Sequence, residues 1–373
     1  MSQINVDEIR ASNGTGDAIS LTASDKTCTA NITNNLSNRN LIINGAMNVA
    51  QRGTSSTSGG YASVDRFKVV DNNTNVTITQ SQHALTSSDT GPWAKGFRNS
   101  WKQELSAAGN GLDGTSYLYI THFVEAQNAA CSGWDFTSAS SYITLSFWFK
   151  ASTNQTFYGR LATVDATTQN YPFSFTATGD DTWTKITKTI PGNSNCNIVN
   201  DNGPGLKLEI SLYAGADRTD SGVSLNTWAA YASATRTPDM ANTWITAGTS
   251  SFELTGVQLE VGDYATDFEH LPYGVELDRC KRYFIADIAD RYWYNGHGAN
   301  VYDYQLISFP STMRDTPAIT FGTDITMTNV NTSGGTNGHG TYAITSTGWN
   351  YSPLASATGN ITGKVNYTAS AEL

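Results

Sequence analysis

Apolar and polar residues alternate along much of the chain between residues 41 and 270. The clearest alternating segment is 143–150, with the sequence ITLSFWFK. Successive side chains of a strand point to opposite faces. One face therefore holds Ile143, Leu145, Phe147 and Phe149, and the other holds Thr144, Ser146, Trp148 and Lys150. This pattern predicts a strand with one buried face and one partly solvated face.

Similar alternating segments recur between turn signals throughout residues 41–270. They lie at 64–70, 76–79, 117–123, 183–190, 206–212 and 252–261. Asn-Gly and Asp-Gly pairs, which supply the positive φ of tight hairpins, separate several of them. Short strands at this spacing are typical of an antiparallel sandwich with one wet face per sheet. The fold class is predicted to be all-β, with a β-sandwich domain over 41–270.

A different pattern follows at residues 271–284. Acidic residues come early and basic residues late after Pro272, and Leu277, Cys280 and Phe284 share one helical face. This segment is predicted to be a connector helix. Residues 285–373 return to strand patterns, anchored by 302–309 and 318–321. Such a small domain has a thin core and gains from burying a face against copies of itself.

Residues 1–40 contain too few apolar residues to form a core. A few of them, Ile4, Val6 and Ile9, occur at a spacing compatible with an extended segment. Two interpretations remain open: an arm that orders against a partner subunit, or a flexible tag. We expect residues 1–40 to be the arm.

Composition narrows the possible functions. Only 14% of residues are charged and 11% are aromatic, and the formal net charge is −10 with a pI near 4.9. Nucleic-acid binding depends on clustered Lys and Arg, so nucleic acid is not an expected partner. The sequence begins without a secretory signal pattern and holds no apolar stretch of about 20 residues, so we expect a soluble, unprocessed chain without membrane insertion. The four widely spaced cysteines indicate neither zinc nor a disulfide framework.

An ordered series of short phrases carries a family resemblance. The series begins with NLIINGAMNVAQRG at 40–53 and YASVDRF at 61–67. It continues with WTK at 183–185, IPG at 190–192, GVQLEVG at 256–262, FEHLPY at 268–273, CKRYF at 280–284 and FPSTMRDTP at 309–317. Together these phrases resemble a module common in structural proteins of tailed phages, particularly marine phages and cyanophages.

The resemblance implies a jelly-roll sandwich similar to family 4/9-type carbohydrate-binding modules, followed by a small β domain, in a tail fibre or short appendage of a virion. It implies that residues 1–40 bind virion proteins. The protein would be assembled in the host cytoplasm and act on the virion surface by adhering to host-surface glycan. As a fibre it is expected to form a homotrimer. A capsid decoration or head-fibre protein anchored by the same arm is the main alternative.

Exposed aromatic rings in polar loops are the natural candidates for sugar binding, because pyranose rings stack on flat apolar surfaces. Four residues fit this pattern: Trp93, Trp134, Tyr171 and Trp228. For any single one of them, a core or edge position in the sandwich is the more common explanation. Trp148 and Trp183 lie inside predicted strands and are assigned to structure.

A second aromatic surface is predicted in the small domain. Its candidate residues are Tyr292, Trp293, Tyr294, Trp349 and Tyr351. Clustered Tyr and Trp are typical of interfaces. A trimer interface and a receptor site remain open for this surface.

The sequence contains no motif that indicates a metal site or a catalytic site. His297 and His339 lie in a repeated Asn-Gly-His-Gly turn, and Glu260 or Asp263 are possible calcium ligands without a calcium-loop motif, so no metal and no cofactor are expected. No nucleophile elbow, P-loop or HExxH motif occurs. A glycan depolymerase using two of Asp180, Asp181, Asp287, Asp290 and Glu269 remains the third alternative. We expect binding without catalysis.

Overall fold

A computed structural model describes residues 8–10, 17–22, 27–30, 38–297, 299–302, 304–331 and 339–373. For residues 8–10, 17–22, 27–30, 291 and 293–297 it describes the backbone only. The described chain is built almost entirely of strands. None of its helices is long and apolar enough to cross a membrane.

Strands β1–β15 belong to the part of the chain before the connector. They are β1 (Glu8–Arg10), β2 (Asp17–Thr22), β3 (Thr27–Ala30), β4 (Ser55–Ser56), β5 (Phe67–Asn72), β6 (Ile78–Ala84), β7 (Asn99–Leu105), β8 (Tyr117–Glu125), β9 (Tyr142–Ala151), β10 (Asn154–Thr163), β11 (Gln169–Thr178), β12 (Thr184–Pro191), β13 (Pro204–Ala214), β14 (Ala229–Ala230) and β15 (Ser250–Val261). Short helices α1 (Ala126–Ala130) and α2 (Thr243–Thr246) interrupt this series, as does a 3₁₀ turn at Trp93–Lys95.

Helix α3 (Tyr273–Lys281) lies within the predicted connector 271–284 and ends three residues earlier. Six strands follow it. They are β16 (Phe284–His297), β17 (Gln305–Ser308), β18 (Ala318–Thr328), β19 (Thr341–Thr345), β20 (Gly348–Tyr351) and β21 (Gly359–Ser370).

Two six-stranded sheets form the sandwich. The first sheet has the order β12-β9-β15-β7-β6-β4, and the second has the order β14-β11-β10-β13-β8-β5. All pairings between these strands are antiparallel. Non-sequential neighbours such as β9 beside β15 make the connections cross between sheets, as in a jelly roll. The predicted all-β class and sandwich architecture are confirmed.

The alternation in the sequence determines which side chains enter the sandwich core. Phe147 and Phe149 of β9 are buried, while Trp148 between them points to the outer face and stays partly exposed. Within the core, Phe175 of β11 packs against Phe149 with ring centroids 4.7 Å apart. Phe252 of β15 joins the same group 5.3 Å from Phe157 of β10. The core thus joins both sheets through interdigitated phenylalanines.

The second domain consists of two three-stranded sheets, ordered β16-β21-β18 and β17-β20-β19. Its core is small and aromatic. Trp349 packs against Tyr351 and Tyr367 with ring centroids 5.8 and 5.1 Å apart, and all three side chains are buried. The predicted smaller β unit after the sandwich is therefore present, although the exact domain bounds stay a prediction.

A buried ionic junction joins the two domains. Arg66 lies with its guanidinium carbon 3.5 Å from the centre of the Tyr283 ring, donates to the Phe123 carbonyl at 2.8 Å and pairs with Glu372. Glu125 at the end of β8 accepts a hydrogen bond from the Tyr283 hydroxyl at 2.7 Å. These contacts compensate the charges of Arg66 and Glu372 in a buried environment, where an unpaired charge is costly. Arg66 of the YASVDRF phrase is thus part of the structural framework.

The backbone of β1, β2 and β3 forms a three-stranded antiparallel sheet. The remaining residues of the predicted arm up to 37 lie outside the described residues. The anchoring role of residues 1–40 stays a prediction.

Candidate functional site

Two of the clefts on the surface of the sandwich differ in the residues that line them. The larger one, of about 910 Å³, lies beside the connector helix and is lined mainly by amides, arginines and small side chains, including Asn40, Gln127, Arg279 and Arg282. The smaller one, of about 280 Å³, lies on the outer face of the first sheet. It is the one with aromatic rings, and it is called the aromatic cleft below. Its lining residues are Ala94, Lys95, Phe97, Ser146, Trp148, Lys185, Gly256, Asp267, Phe268 and His270.

Trp148 provides the floor of the aromatic cleft. The residue is placed there by the period of β9, which directs Ser146, Trp148 and Lys150 away from the core. Lys185 of β12 is the direct cross-strand neighbour of Trp148 on one side, and Thr255 of β15 is the neighbour on the other. An indole is therefore flanked on its own sheet by an exposed ammonium and a hydroxyl side chain.

Three further rings form the wall of the cleft. Phe97 and Phe268 meet edge to face with centroids 4.9 Å apart. The imidazole of His270 packs against both, at 5.0 Å from Phe97 and 4.9 Å from Phe268. His270 is exposed, and its Nε2 is 2.8 Å from the Lys95 carbonyl oxygen. The wall is apolar at its base and polar at its outer edge.

The loop over residues 86–98 is held onto the sheet by Asp89. Its carboxylate accepts hydrogen bonds from Trp183 Nε1 at 3.0 Å, Lys150 Nζ at 3.1 Å and the Thr86 backbone at 2.9 Å. Burial raises the pKa of Asp89, but these hydrogen bonds outweigh burial and lower the pKa to about 2. Asp89 therefore stays ionised at neutral pH and fixes the loop.

Two glycines allow the loop and the sheet to approach the rings closely. Gly91 has φ of 98°, and an added Cβ there would lie 2.7 Å from Trp148 Cζ3. Gly256 has φ of 63°, lies in the bulge of β15 and comes equally close to the Phe97 ring. Only glycine suits both the backbone conformation and the contact.

The loop over residues 262–272 forms the other side of the cleft. Glu260 accepts hydrogen bonds from the backbone and hydroxyl of Thr266 at 2.8 and 2.6 Å. Gln258 accepts one from the Glu269 backbone at 2.8 Å. At the cleft rim, Asp267 pairs with Lys95 across the opening at 3.3 Å, and both side chains are exposed. The second loop is thus anchored at its base, with charged groups at its tip.

The arrangement has the chemistry of a stacking site. The partly exposed rings of Trp148 and Phe268 offer flat apolar surface. Lys95, Lys185, Asp267 and His270 surround it with groups that hydrogen-bond hydroxyls. Asp267 is the one carboxyl side chain among the residues that line this cleft. The cleft is therefore equipped to bind a polar ring and lacks a facing pair of carboxyl groups.

The structure places the four candidate sugar-binding residues in different environments. Trp93 borders the cleft, but the Arg98 guanidinium covers its ring at 3.8 Å. Trp228 is partly buried and donates through Nε1 to the Pro191 carbonyl at 2.7 Å. Trp134 and Tyr171 are each 3% exposed and belong to the sandwich core, which corrects the expectation of exposed rings at these positions. None of these four residues is among those that line the aromatic cleft.

The second predicted aromatic surface is also divided. Trp349 and Tyr351 are completely buried because β20 turns both toward the core of the second domain, so they are not surface residues as expected. Tyr292 is 49% exposed. The side chains of Trp293 and Tyr294 lie outside the described residues.

His339 belongs to a buried polar chain in the second domain. Its Nδ1 is 2.9 Å from the Tyr351 hydroxyl, and its Nε2 is 2.7 Å from an Asp324 carboxylate oxygen. His297 has a described backbone only. Across the part of the chain that the structure describes, no group of three His, Cys, Asp or Glu residues is arranged to hold a metal ion.

No protein-family model matches the chain, and no curated protein matches its sequence. Solved structures with a similar fold include the enzymatically active domain of tailspike protein 4 from bacteriophage CBA120, at 11% identity and a TM-score of 0.33. That match covers 60% of this chain and 21% of the tailspike chain, so the chain spans about a fifth of that protein.

Two further similar structures are small domains. One is the N-terminal cellulose-binding domain of a β-1,4-glucanase from Cellulomonas fimi, at 9% identity and a TM-score of 0.28, covering 58% of this chain and 99% of that domain. The other is a xylan-binding domain from Paenibacillus barcinonensis, at 11% identity and a TM-score of 0.27, covering 57% and 94%. At these values the likeness concerns the β-sandwich fold alone.

Proposed function

We propose that this protein is a non-catalytic glycan-binding protein that adheres to host-surface glycan through the aromatic cleft. The observation that carries the proposal is Trp148, a partly exposed indole on the outer face of the first sheet, enclosed by two anchored loops with polar tips. Flat rings bordered by hydrogen-bonding groups match the alternating apolar faces and hydroxyl edges of a sugar. Such contacts are individually weak, and several copies on one particle multiply them.

Absence of catalysis is part of the proposal. Hydrolysis of a glycosidic bond ordinarily uses two carboxyl groups on either side of the bond, one of them a protonated acid. Asp267 is the one carboxyl side chain among the residues that line the cleft. The nearby Asp89 is held ionised by its hydrogen bonds. This composition favours binding and release of an intact glycan.

We further propose that the protein works on a phage particle as a tail fibre or short appendage. The support is the ordered series of sequence phrases that resembles a module of tailed-phage structural proteins. Self-association into a trimer belongs to the same proposal, and exposed apolar residues of the second domain support it: Leu306 is 63% and Tyr342 62% exposed. Sedimentation velocity of the purified chain is expected to give three times the 40.1 kDa chain mass; a monomer at micromolar concentration contradicts the trimer.

Affinity electrophoresis of the full chain tests the glycan proposal. The probes are soluble β-glucan, xylan, galactan and bacterial lipopolysaccharide. We expect retardation by at least one of them, and about tenfold weaker binding for Trp148→Ala because the stacking surface is lost. Trp148→Phe keeps a ring and is expected to retain most of the affinity.

Trp228→Ala is the matched control, since it also removes a partly buried tryptophan but lies outside the cleft. Melting temperatures of all three variants establish that they fold. Equal binding by the wild type and Trp148→Ala contradicts the proposal that glycan binds in the aromatic cleft. Loss of binding in Trp228→Ala alone contradicts it too. Release of reducing ends from any probe contradicts the non-catalytic assignment.

Immunogold labelling of intact virions tests the location. Antibody against the purified protein is expected to label the tail. Label over the head overturns the tail assignment and supports the capsid-decoration alternative.

A further inference from the structure

The outer face of the second sheet carries a cluster of tyrosines and arginines that the aromatic cleft does not involve. We call it the Tyr–Arg cluster. It consists of Tyr117 and Tyr119 on β8 and of Arg218, Tyr231 and Arg236 on the loop that crosses this face between β13 and β15.

The rings and guanidiniums of the cluster form a layered stack. Tyr117 and Tyr119 lie parallel, with centroids 4.6 Å apart and 7° between their planes. The Arg236 guanidinium carbon is 5.8, 5.4 and 5.6 Å from the ring centres of Tyr117, Tyr119 and Tyr231. Arg218 lies over Tyr117 at 5.4 Å. Aromatic faces hold such cations in place without neutralising their charge.

The two loop arginines differ from the other arginine on this face. Arg160 of β10 makes a two-point ion pair with Glu209 of β13, at 2.7 and 2.9 Å. Within the described residues, neither Arg218 nor Arg236 has a carboxylate within ion-pair distance. Both donate instead to the same hydroxyl, that of exposed Ser233, at 2.5 and 3.5 Å. Two guanidiniums that share one small acceptor lie close enough for a single oxyanion to bridge them.

The cluster also holds buried polar atoms without a hydrogen-bond partner in the described protein. They are the Nε atoms of Arg218 and Arg236 and the hydroxyl of Tyr119, which is 2% exposed. Buried polar groups of this kind ordinarily find partners, so the cluster has unmet hydrogen-bonding capacity next to the exposed Ser233.

Two carboxylates of the crossing loop accept hydrogen bonds from groups of the loop itself. Asp239 accepts a hydrogen bond from the Thr219 hydroxyl at 2.9 Å, and Asp220 accepts one from the Gly222 backbone at 2.7 Å. Lys207 on the neighbouring strand adds another cation, and Glu209 is already shared between it and Arg160. Within the described residues, no carboxylate of the crossing loop thus forms an ion pair with Arg218 or Arg236.

We propose that the Tyr–Arg cluster is a second binding site, specific for the oxyanion of an acidic saccharide. A carboxylate or sulfate group is held between the Arg218 and Arg236 guanidiniums, which match such groups in planar two-point geometry. The site lies on the opposite face from the aromatic cleft and does not depend on it.

A saccharide fits this site better than a nucleic acid does. A nucleic acid presents a phosphate at every residue and needs a long row of cations, whereas this site has two guanidiniums with Lys207 nearby. The strongly acidic remainder of the chain repels a long polyanion. A saccharide with acidic groups separated by neutral surface avoids that repulsion.

Isothermal titration of the full chain with matched ligands tests the proposal. The carboxylate probe is α-1,4-trigalacturonate and its neutral counterpart is α-1,4-galactotriose. A sulfated carrageenan tetrasaccharide distinguishes sulfate from carboxylate. We expect at least one acidic probe to bind and the neutral trisaccharide to bind at least tenfold more weakly at this site. The double variant Arg218→Gln/Arg236→Gln is expected to lose at least tenfold in affinity for the acidic probe.

Lys364→Gln is the matched charge control, because it removes a cation that pairs with Asp290 in the second domain. Arg236→Lys keeps the charge without the planar fork and is expected to bind with intermediate affinity. Trp148→Ala is expected to leave binding of the acidic probe unchanged, so failure of this site and failure of the cleft are distinguishable. Circular dichroism melting confirms folding of each variant.

Three outcomes overturn the proposal. One is that neither acidic probe binds, and another is that the double arginine variant binds as the wild type does. The third is that hexathymidylate binds as tightly as the acidic saccharides, which makes the site a general polyanion site.

Discussion

The two outer faces of the sandwich come from the same alternating sequence pattern but are built from different chemistry. On the first sheet, the outward residue Trp148 is enclosed by loops that bring further rings. On the second sheet, the outward residues Arg160 and Glu209 form a buried ion pair beneath a crossing loop. Alternation decides only which side chains leave the core. The loops that cover each face then decide whether those side chains form a cleft or a charged layer.

The two faces also differ in how much their stability depends on one carboxylate. Glu209 is almost completely buried and compensates Arg160 and Lys207 at once, so its removal leaves buried charge without a partner. Asp89 on the first face anchors a surface loop and has an exposed side. We therefore expect carboxylate losses to have unequal effects on the two faces.

The largest expected effect is that of Glu209→Gln on the second face. Leaving Arg160 buried without a carboxylate is expected to lower the free energy of unfolding by about 3 to 5 kcal/mol. Urea unfolding at pH 7 measures this value. Replacing both partners, in Arg160→Met/Glu209→Leu, is expected to cost less than the single variant because the buried guanidinium is removed too, and only the more exposed Lys207 is left without its carboxylate. If Glu209→Gln lowers the free energy of unfolding by less than about 1 kcal/mol, the second face does not depend on this ion pair as the comparison requires.

Acid is expected to weaken the same ion pair by protonating Glu209. Burial raises the pKa of Glu209, but Arg160 and Lys207 outweigh burial and lower the pKa from 4.5 to about 2. A lowered folded-state pKa gives stability that is complete above pH 4.5 and is lost as the pH falls toward 2. The loss is about 3 kcal/mol for a shift of this size.

Urea unfolding of wild type and Glu209→Gln between pH 6 and pH 2.5 isolates this contribution. The difference between the two proteins is expected to shrink as the pH falls, because only the wild type has a carboxyl to protonate. A difference that stays constant over this range is the contrary result.

A smaller effect is expected for Asp89→Asn on the first face. The amide oxygen still accepts a hydrogen bond, but the charge that Lys150 and Trp183 contact is lost. We expect a loss of about 1 to 2 kcal/mol in urea unfolding, less than for Glu209→Gln. Asp263→Asn, which changes an exposed carboxylate on the same side, is the control and is expected to have no measurable effect. A loss equal to that of Glu209→Gln removes the contrast between the faces.

Much of the fold could be predicted because the signal is local. The apolar residues of 143–150 are buried as their two-residue period requires, and the connector helix lies where its charge gradient indicated. The positions of Trp134 and Tyr171 could not be predicted in this way. Both flank turn-forming residues, and their burial depends on strands far away in the sequence that cover them.

The cleft itself was missed for a related reason. Trp148 was assigned to structure because it lies inside a strand, although its neighbours Ser146 and Lys150 already marked the outward face. A large aromatic residue on the polar side of an alternating strand was the available signal. The loops at 86–98 and 262–272 could not be placed over that side from sequence, because their anchors Asp89 and Glu260 bind partners that only the folded sheet brings near.

The contact between Arg66 and Glu372 has a consequence for biosynthesis. It joins residues separated by 306 positions, so it forms only after nearly the whole second domain has emerged from the ribosome. Until then the Arg66 guanidinium lacks the acid that neutralises it in its apolar setting beside Tyr283. A chain that stops before Glu372 is therefore expected to keep a destabilised sandwich, which proteases degrade more readily than a chain that contains the second domain. The junction makes the stability of the first domain depend on the second.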